Sequence, residues 1–351
     1  MSRVVFPRGA AQFGVCQGGC EPAGVSSART CAQGWARSFA PQEPMEFERN
    51  QGPEPPLCFQ VLGRSVRIDC ADSALRAVLA ANYAAMVELK ESGPFDLHYH
   101  VRRNRQPPGF ALGRADTSTG SAVNAGDLLY LLERDLVVQL QTMLPELLFL
   151  HAAALDLRGK ACLLVGESGA GKSTTTWALL HHDFRYLSDE LSPIDIKTLQ
   201  VHAYPHALCL KQRPPSPYSL PGDALDLGRT THVPTGAMPK SAVLEPRPIA
   251  ALFLVKYSPG LDAPGLRTLG AAEASAHLYA SALNALAHPN HGLDAVVRLA
   301  ENVPCFALAS ADLPSTCALI RSAMESATGS SEPAGIAMRT SRRRSLRLGG
   351  R

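Results

Sequence analysis

From Leu57 onward the apolar positions fall into regular periods, and those periods predict the elements. Cys58 to Leu62 and Ser65 to Asp69 alternate around Gly63-Arg64, which predicts a hairpin. Ser73 would cap a helix from Ala74 to Lys90 with Leu75, Val78, Leu79, Tyr83 and Val87 on one stripe. Leu97 to Val101 predicts a short strand with His98 and His100 on the same face. Two histidines are an incomplete metal set. With no third ligand near them in the sequence, they read as surface or core residues. Asp127 to Met143 predicts a second amphipathic helix, which leads through Pro145 into the apolar run Leu147 to Leu150. Further on, Ile249 to Tyr257 and Cys305 to Leu308 read as strands, and Ala271 to Leu286 and Leu293 to Glu301 as helices. Between Gln212 and Pro248 the chain is rich in Pro and Gly and has no period, as in an excursion or a lid-like loop. No internal repeat occurs.

The ends of the chain differ from this middle. Residues 1 to 56 hold 14 Gly and Pro and neither period. They read as a disordered leader, or as an extension upstream of a start at Met45. Residues 326 to 351 read as a disordered tail with six arginines and one glutamate. The organisation expected is leader 1–56, a small α+β domain 57–145, a larger α/β domain 146–325 and tail 326–351. The formal net charge of +3 is carried by the tail, and the 269 residues between leader and tail sum to −2. That argues against a broadly basic surface for nucleic acid, whose only support is the Arg342-Arg343-Arg344 cluster. No apolar stretch reaches the length of a membrane span, and the N-terminus lacks the apolar core of a signal peptide. The nine cysteines are an odd number without zinc-finger spacing, so a reduced, cytoplasmic protein is expected.

The chemistry is concentrated between His151 and Glu190. Gly166-Glu167-Ser168-Gly169-Ala170-Gly171-Lys172-Ser173 matches G-x-x-x-x-G-K-[ST] in full. The apolar run Ala161 to Val165 before it reads as a buried strand, and Ser173 to His181 after it as a helix. In that context the backbone N–H groups of residues 166 to 174, Thr174 included, would cradle phosphates. Lys172 would add a point charge there, and the Ser173 hydroxyl would ligate Mg²⁺.

Two flanking features sharpen this. His151 to Leu157 also reads as a strand, joined to the next by Arg158-Gly159 alone. A two-residue hairpin pairs Leu157 with Lys160 and sets His151 opposite Gly166, at the mouth of the loop. A packed core histidine is the other reading of that residue. Phe184 to Ser188 reads as a strand ending in Asp189-Glu190. A right-handed β-α-β crossover would bring those acids to the sheet edge that carries the loop.

Together His151, the hairpin, Gly166 to Ser173 and Leu187-Ser188-Asp189-Glu190 resemble the catalytic domain of HPr kinase/phosphorylase, a bacterial protein-serine kinase. The chain is similar, closer still, to the HPr-kinase-related kinases whose gene clusters also encode small PqqD-like carrier proteins. Tyr204 to Lys211 and Leu293 to Leu313 extend the likeness to about Leu57–Ile320. The resemblance implies a P-loop kinase domain of the HPr kinase/phosphoenolpyruvate carboxykinase type, with ATP and Mg²⁺ as cofactors. It implies a protein or peptide acceptor, such as a PqqD-like small protein, and leaves room for a homo-oligomer. By the same resemblance Asp189 is the catalytic aspartate that takes the proton of an attacking serine, and His151 the histidine near the phosphates. Glu190 stands where HPr kinase has a second aspartate, as a metal ligand beside Ser173. The HPr-docking segment and its arginine have no counterpart here, and Lys211 or Lys240 are the cations that could replace that charge. A small-molecule kinase and an ATP-bound switch or assembly module are the alternatives. An ABC-type transporter is disfavoured, because no LSGGQ-like signature follows the loop.

Overall fold

The computed structural model describes residues 54–88, 94–115 and 117–329. The leader up to residue 53, Met45 included, and the arginine cluster at 342–344 lie outside the described residues.

The first part is a sheet covered on one side by two helices. Strands β1 (Leu57–Val61) and β2 (Arg64–Cys70) form the hairpin, closed by Leu62 and Gly63, both at positive φ. The turn is thus one residue earlier than the sequence suggests, in the type that suits a two-residue hairpin. Helix α1 (Ser73–Asn82) is capped by Asp72, whose side chain accepts from the Leu75 N–H. It stops eight residues short of Lys90. Asn82 is buried, its carbonyl takes the N–H of Ala207, and its amide donates to Glu133. The chain beyond it becomes β3 (Val87–Glu88), paired with β1. Strands β4 (Leu97–Arg105), β5 (Pro108–Arg114) and β6 (Thr117–Ala122) complete the order β3-β1-β2-β4-β5-β6. Helix α2 (Ala125–Met143), capped by Asn124, buries Leu128, Leu129, Leu132, Leu136 and Leu140 against this sheet.

The second part is a sheet with helices on both faces. Strands β7 (Leu147–Leu150), β8 (Ala152–Leu157) and β9 (Lys160–Val165) lead into α3 (Lys172–Leu180). Next come β10 (Arg185–Ser188), β11 (Ser192–Asp195), β12 (Gln200–Val201) and β13 (Leu208–Leu210). β13 joins β14 (Leu225–Asp226) and β15 (Thr231–Val233) in a small sheet, so the stretch 212–248 is partly ordered as strands. After it follow β16 (Arg247–Tyr257), β17 (Gly265–Thr268), α4 (Ala271–Ala280), α5 (Leu293–Asn302), β18 (Cys305–Ser310) and α6 (Leu313–Gly329). Ser326 to Gly329 therefore belong to a helix, not to a tail.

β16 pairs in parallel with β9 on one side and β18 on the other, and near its start it also takes β12. Trp177, Leu180, Cys317 and Ile320 pack α3 and α6 on one face, while Leu278, Val296 and Leu299 pack α4 and α5 on the other. Helix α4 ends at Ala280 instead of running to Leu286, because the chain after it is drawn onto β7. Leu283 donates to Phe149, and the Asn284 side chain bonds both Phe149 and Leu147. The molecule is a mixed α/β structure, and its described residues belong to one compact unit. Among the described residues no helix is long and apolar enough to cross a membrane.

Candidate active site

The site grows from the turn between β9 and α3. Gly166 leaves β9 where a Cβ would come within 2.7 Å of the Val255 carbonyl on β16, so only glycine fits so close to the neighbouring strand. Gly169 and Gly171 take φ values of 88° and 95°, which turn the loop back onto the first residue of α3. The open N-terminal N–H groups of that helix face the space the loop encloses. Lys172 reaches across it and donates to the carbonyls of Gly166 (2.7 Å) and Glu167 (3.2 Å). Burial lowers the Lys172 pKa, against the pull of Asp189 and Glu190.

The hairpin of β8 and β9 has the register read from the sequence. Leu157 faces Lys160 and Ala152 faces Val165, with Arg158 and Gly159 at positive φ in the turn. His151 is therefore next to Gly166 in register and lines a cavity of about 170 Å³ with Ser168, Lys172, Ser173, Thr174, Glu190 and Lys211. Its N–H is held by the Ser281 carbonyl. Burial lowers the pKa of its ring, with Lys172 adding to the effect, so the imidazole is neutral near pH 7.

The acidic pair arrives as expected, with one addition. β10 runs parallel to β9 in direction, but β8 lies between them and pairs antiparallel with both. Asp189 is fully buried, and its Oδ2 accepts the Ser173 hydroxyl at 2.9 Å. Its Oδ1 is buried with no partner. Desolvation, with Glu190 adding to it, pushes the Asp189 carboxyl up to about 6. Glu190 takes φ of 68°, a left-handed turn that carries its carboxylate out into the cavity instead of to the opposite side of an extended strand.

Of the two lysines considered for the extra charge, Lys211 is at the loop. Just past β13, it donates to Ser168 Oγ at 2.6 Å. Lys240 is held by Asp183 at 2.6 Å, in an ion pair that Arg321 shares just past the C-terminal end of α3. Sequence reasoning gave no role to His206. This buried ring approaches the Asp189 carbonyl through Nε2 at 2.9 Å, and its Nδ1 has no partner. Burial opposes its charge, but Glu133, the Asp189 carbonyl and the two acids outweigh it and raise the pKa. A second cavity of about 500 Å³ opens on the other side of the loop, between Gly169, Gly171 and Thr174, residues 212–216 and 257–261, and the start of α6.

The donors present suit a hard divalent cation beside phosphate: one hydroxyl and two carboxylates, one of which keeps a buried oxygen without a partner. The chain matches no protein-family model and no curated protein. Among solved structures it is similar to the Hpr(Ser) kinase/phosphatase from Coxiella burnetii. That match has 16% identity and a TM-score of 0.30, over 52% of this chain and 91% of that one. At that score the geometry of the site itself must carry the functional reading.

Proposed function

We propose that the chain is an ATP- and Mg²⁺-dependent kinase that transfers the γ-phosphate to a hydroxyl, a serine on a protein or peptide, and that its second sheet is a P-loop kinase domain of the HPr kinase type. The observation that carries this reading is the bond between Ser173, at the head of α3, and Asp189, at the end of β10. A strand–loop–helix whose hydroxyl meets an acid from a nearby strand is the arrangement used to hold nucleotide phosphates with a metal ion.

In this reading the amides of residues 166–174 and Lys172 hold the phosphate chain. The nucleoside falls in the larger cavity, and the transferred phosphate in the smaller one under His151 and Lys211. Ser173 and Glu190 are the metal-holding pair, and bound Mg²⁺ would supply charge neutralisation on the phosphates. Asp189, with one free oxygen and a raised pKa, accepts the proton of the attacking hydroxyl. Neutral His151 can donate its one ring N–H to a phosphate oxygen and so position it. The acceptor suggested by the resemblance is a PqqD-like small protein encoded nearby.

Mass spectrometry after incubation with ATP and the products of neighbouring genes tests the reading. Lys172→Ala should lose nucleotide binding. Asp189→Asn should bind ATP and transfer nothing, while Glu190→Gln should transfer only at raised Mg²⁺. If Glu190→Gln is dead at every Mg²⁺ concentration and Asp189→Asn is rescued by Mg²⁺, the two acids have exchanged roles. Full transfer by Asp189→Asn at the Mg²⁺ concentration that suffices for the wild-type chain would end the mechanism.

A further inference from the structure

The first sheet carries a cluster that the kinase reading does not use. β2 and β4 lie side by side in parallel, with Arg67 beside His98 and Asp69 beside His100. Side chains alternate along each strand, so Val66, Ile68, Leu97 and Tyr99 go into the core, while Arg67, Asp69, His98 and His100 share the opposite face. The third ligand that the sequence did not show near the two histidines is Asp69, brought to them by the parallel pairing of β2 with β4.

Both imidazoles converge on one oxygen. Asp69 Oδ2 lies 2.6 Å from His98 Nε2 and 3.3 Å from His100 Nδ1, and the three donor atoms all lie within 4.8 Å of one another. Ligand atoms bonded at about 2.0–2.2 Å to one tetrahedral ion stand roughly 3.4 Å apart, so small rotations of the rings admit a cation between them. The other carboxylate oxygen, Oδ1, is held by Arg67 through Nε and Nη2, both at 2.9 Å. One oxygen fixed by an outer partner and the other presented to two rings is how ligating carboxylates are oriented in metal sites. Each side chain is about one-third exposed, at 34–37%, which leaves room for water to complete a coordination shell. On the next strand Gly113 stands opposite His100 and brings no side chain to crowd it.

We propose that Asp69, His98 and His100 form a binding site for a divalent transition-metal ion of the Zn²⁺ class, with two imidazoles, one carboxylate and water as ligands. Two imidazole nitrogens favour such an ion over Mg²⁺ or Ca²⁺, which prefer all-oxygen shells. The ion clasps β2 to β4, neighbouring strands that are separated in sequence by α1 and β3. It is separate from phosphotransfer, so its test does not depend on activity.

Co²⁺ is the spectroscopic probe, added to the full chain, to His98→Ala/His100→Ala and to Asp69→Asn. The wild-type chain should take up one more equivalent of Co²⁺ than either variant, with ligand-field bands that both variants lack. Zn²⁺ should raise the melting temperature of the wild-type chain and of Lys172→Ala, but not of Asp69→Asn. Asp69→Asn keeps the shape of the side chain, so it serves as the comparison if the double variant does not fold. Equal Co²⁺ uptake by the wild-type chain and Asp69→Asn would overturn the proposal.

Discussion

Asp189 shows how one side chain's surroundings set its chemistry. Its carboxyl is desolvated, with Glu190 beside it, and titrates near 6 instead of the ordinary 3.8. A base must be deprotonated to work, so phosphotransfer should rise as pH increases through about 6 and level off above it. The folded state also holds this proton more tightly than the unfolded chain does. The contribution of Asp189 to stability is therefore greatest below about pH 4, falls as pH rises towards 6 and is constant above. Asp189→Asn should remove that slope from a plot of melting temperature against pH. A wild-type rate that is flat from pH 5 to 8 under chemistry-limited conditions would take the base role away from Asp189. Residues of this kind were legible when short spacing fixed them: Lys172 and Ser173 follow the loop glycines directly, and His151 follows from hairpin register. His206 was not legible, since its meaning depends on the turn that brings Tyr204 to Ala207 back beside Asp189.

At the scale of elements, local signals succeeded where the element was closed by its own turn. The hairpin of β8 and β9 needed only Arg158 and Gly159 to fix its pairing. Elements were misjudged where a distant strand competed with helical periodicity. Val87 continues the stripe of α1, yet its backbone pairs with β1. Residues after Ala280 keep an apolar rhythm, yet their donors go to β7. Helix α3 is anchored from outside by the stretch that looked like an open loop. Trp177 is buried on α3, and its indole N–H donates to the Tyr218 carbonyl at 3.1 Å, while Tyr218 also meets His182 through its hydroxyl. Trp177→Ala should cost about 3–5 kcal/mol, read by denaturant unfolding. It should weaken nucleotide binding as well, because the same helix carries Lys172 and Ser173. Loss of stability with unchanged nucleotide affinity would show that the phosphate loop does not depend on this packing.

Across the whole molecule, the helix that covers the first sheet is tied to Asp189 through Glu133. This half-buried residue of α2 accepts the Asn82 amide at 3.1 Å and the Tyr204 hydroxyl at 2.7 Å. Tyr204 bridges to Ser188 and packs its ring 5.2 Å from that of His206, which bonds the Asp189 carbonyl. Asn82 also holds this segment, through the Ala207 N–H, and contacts the His232 ring of β15. Glu133 thereby fixes the strand whose continuation ends in Lys211, and its charge helps to raise the His206 pKa. Two substitutions separate these effects. Glu133→Leu leaves a tyrosine hydroxyl and an asparagine amide without their acceptor, at about 1–3 kcal/mol each, and should appear as lost stability. Glu133→Gln keeps an acceptor but removes the charge, so the His206 pKa should fall and its stabilisation of the Asp189 carboxylate should weaken. The acid limb of the phosphotransfer profile should then move to higher pH while the melting temperature changes little. An unmoved limb in Glu133→Gln, beside a destabilised Glu133→Leu, would confine Glu133 to holding the fold and remove it from the electrostatics of the site.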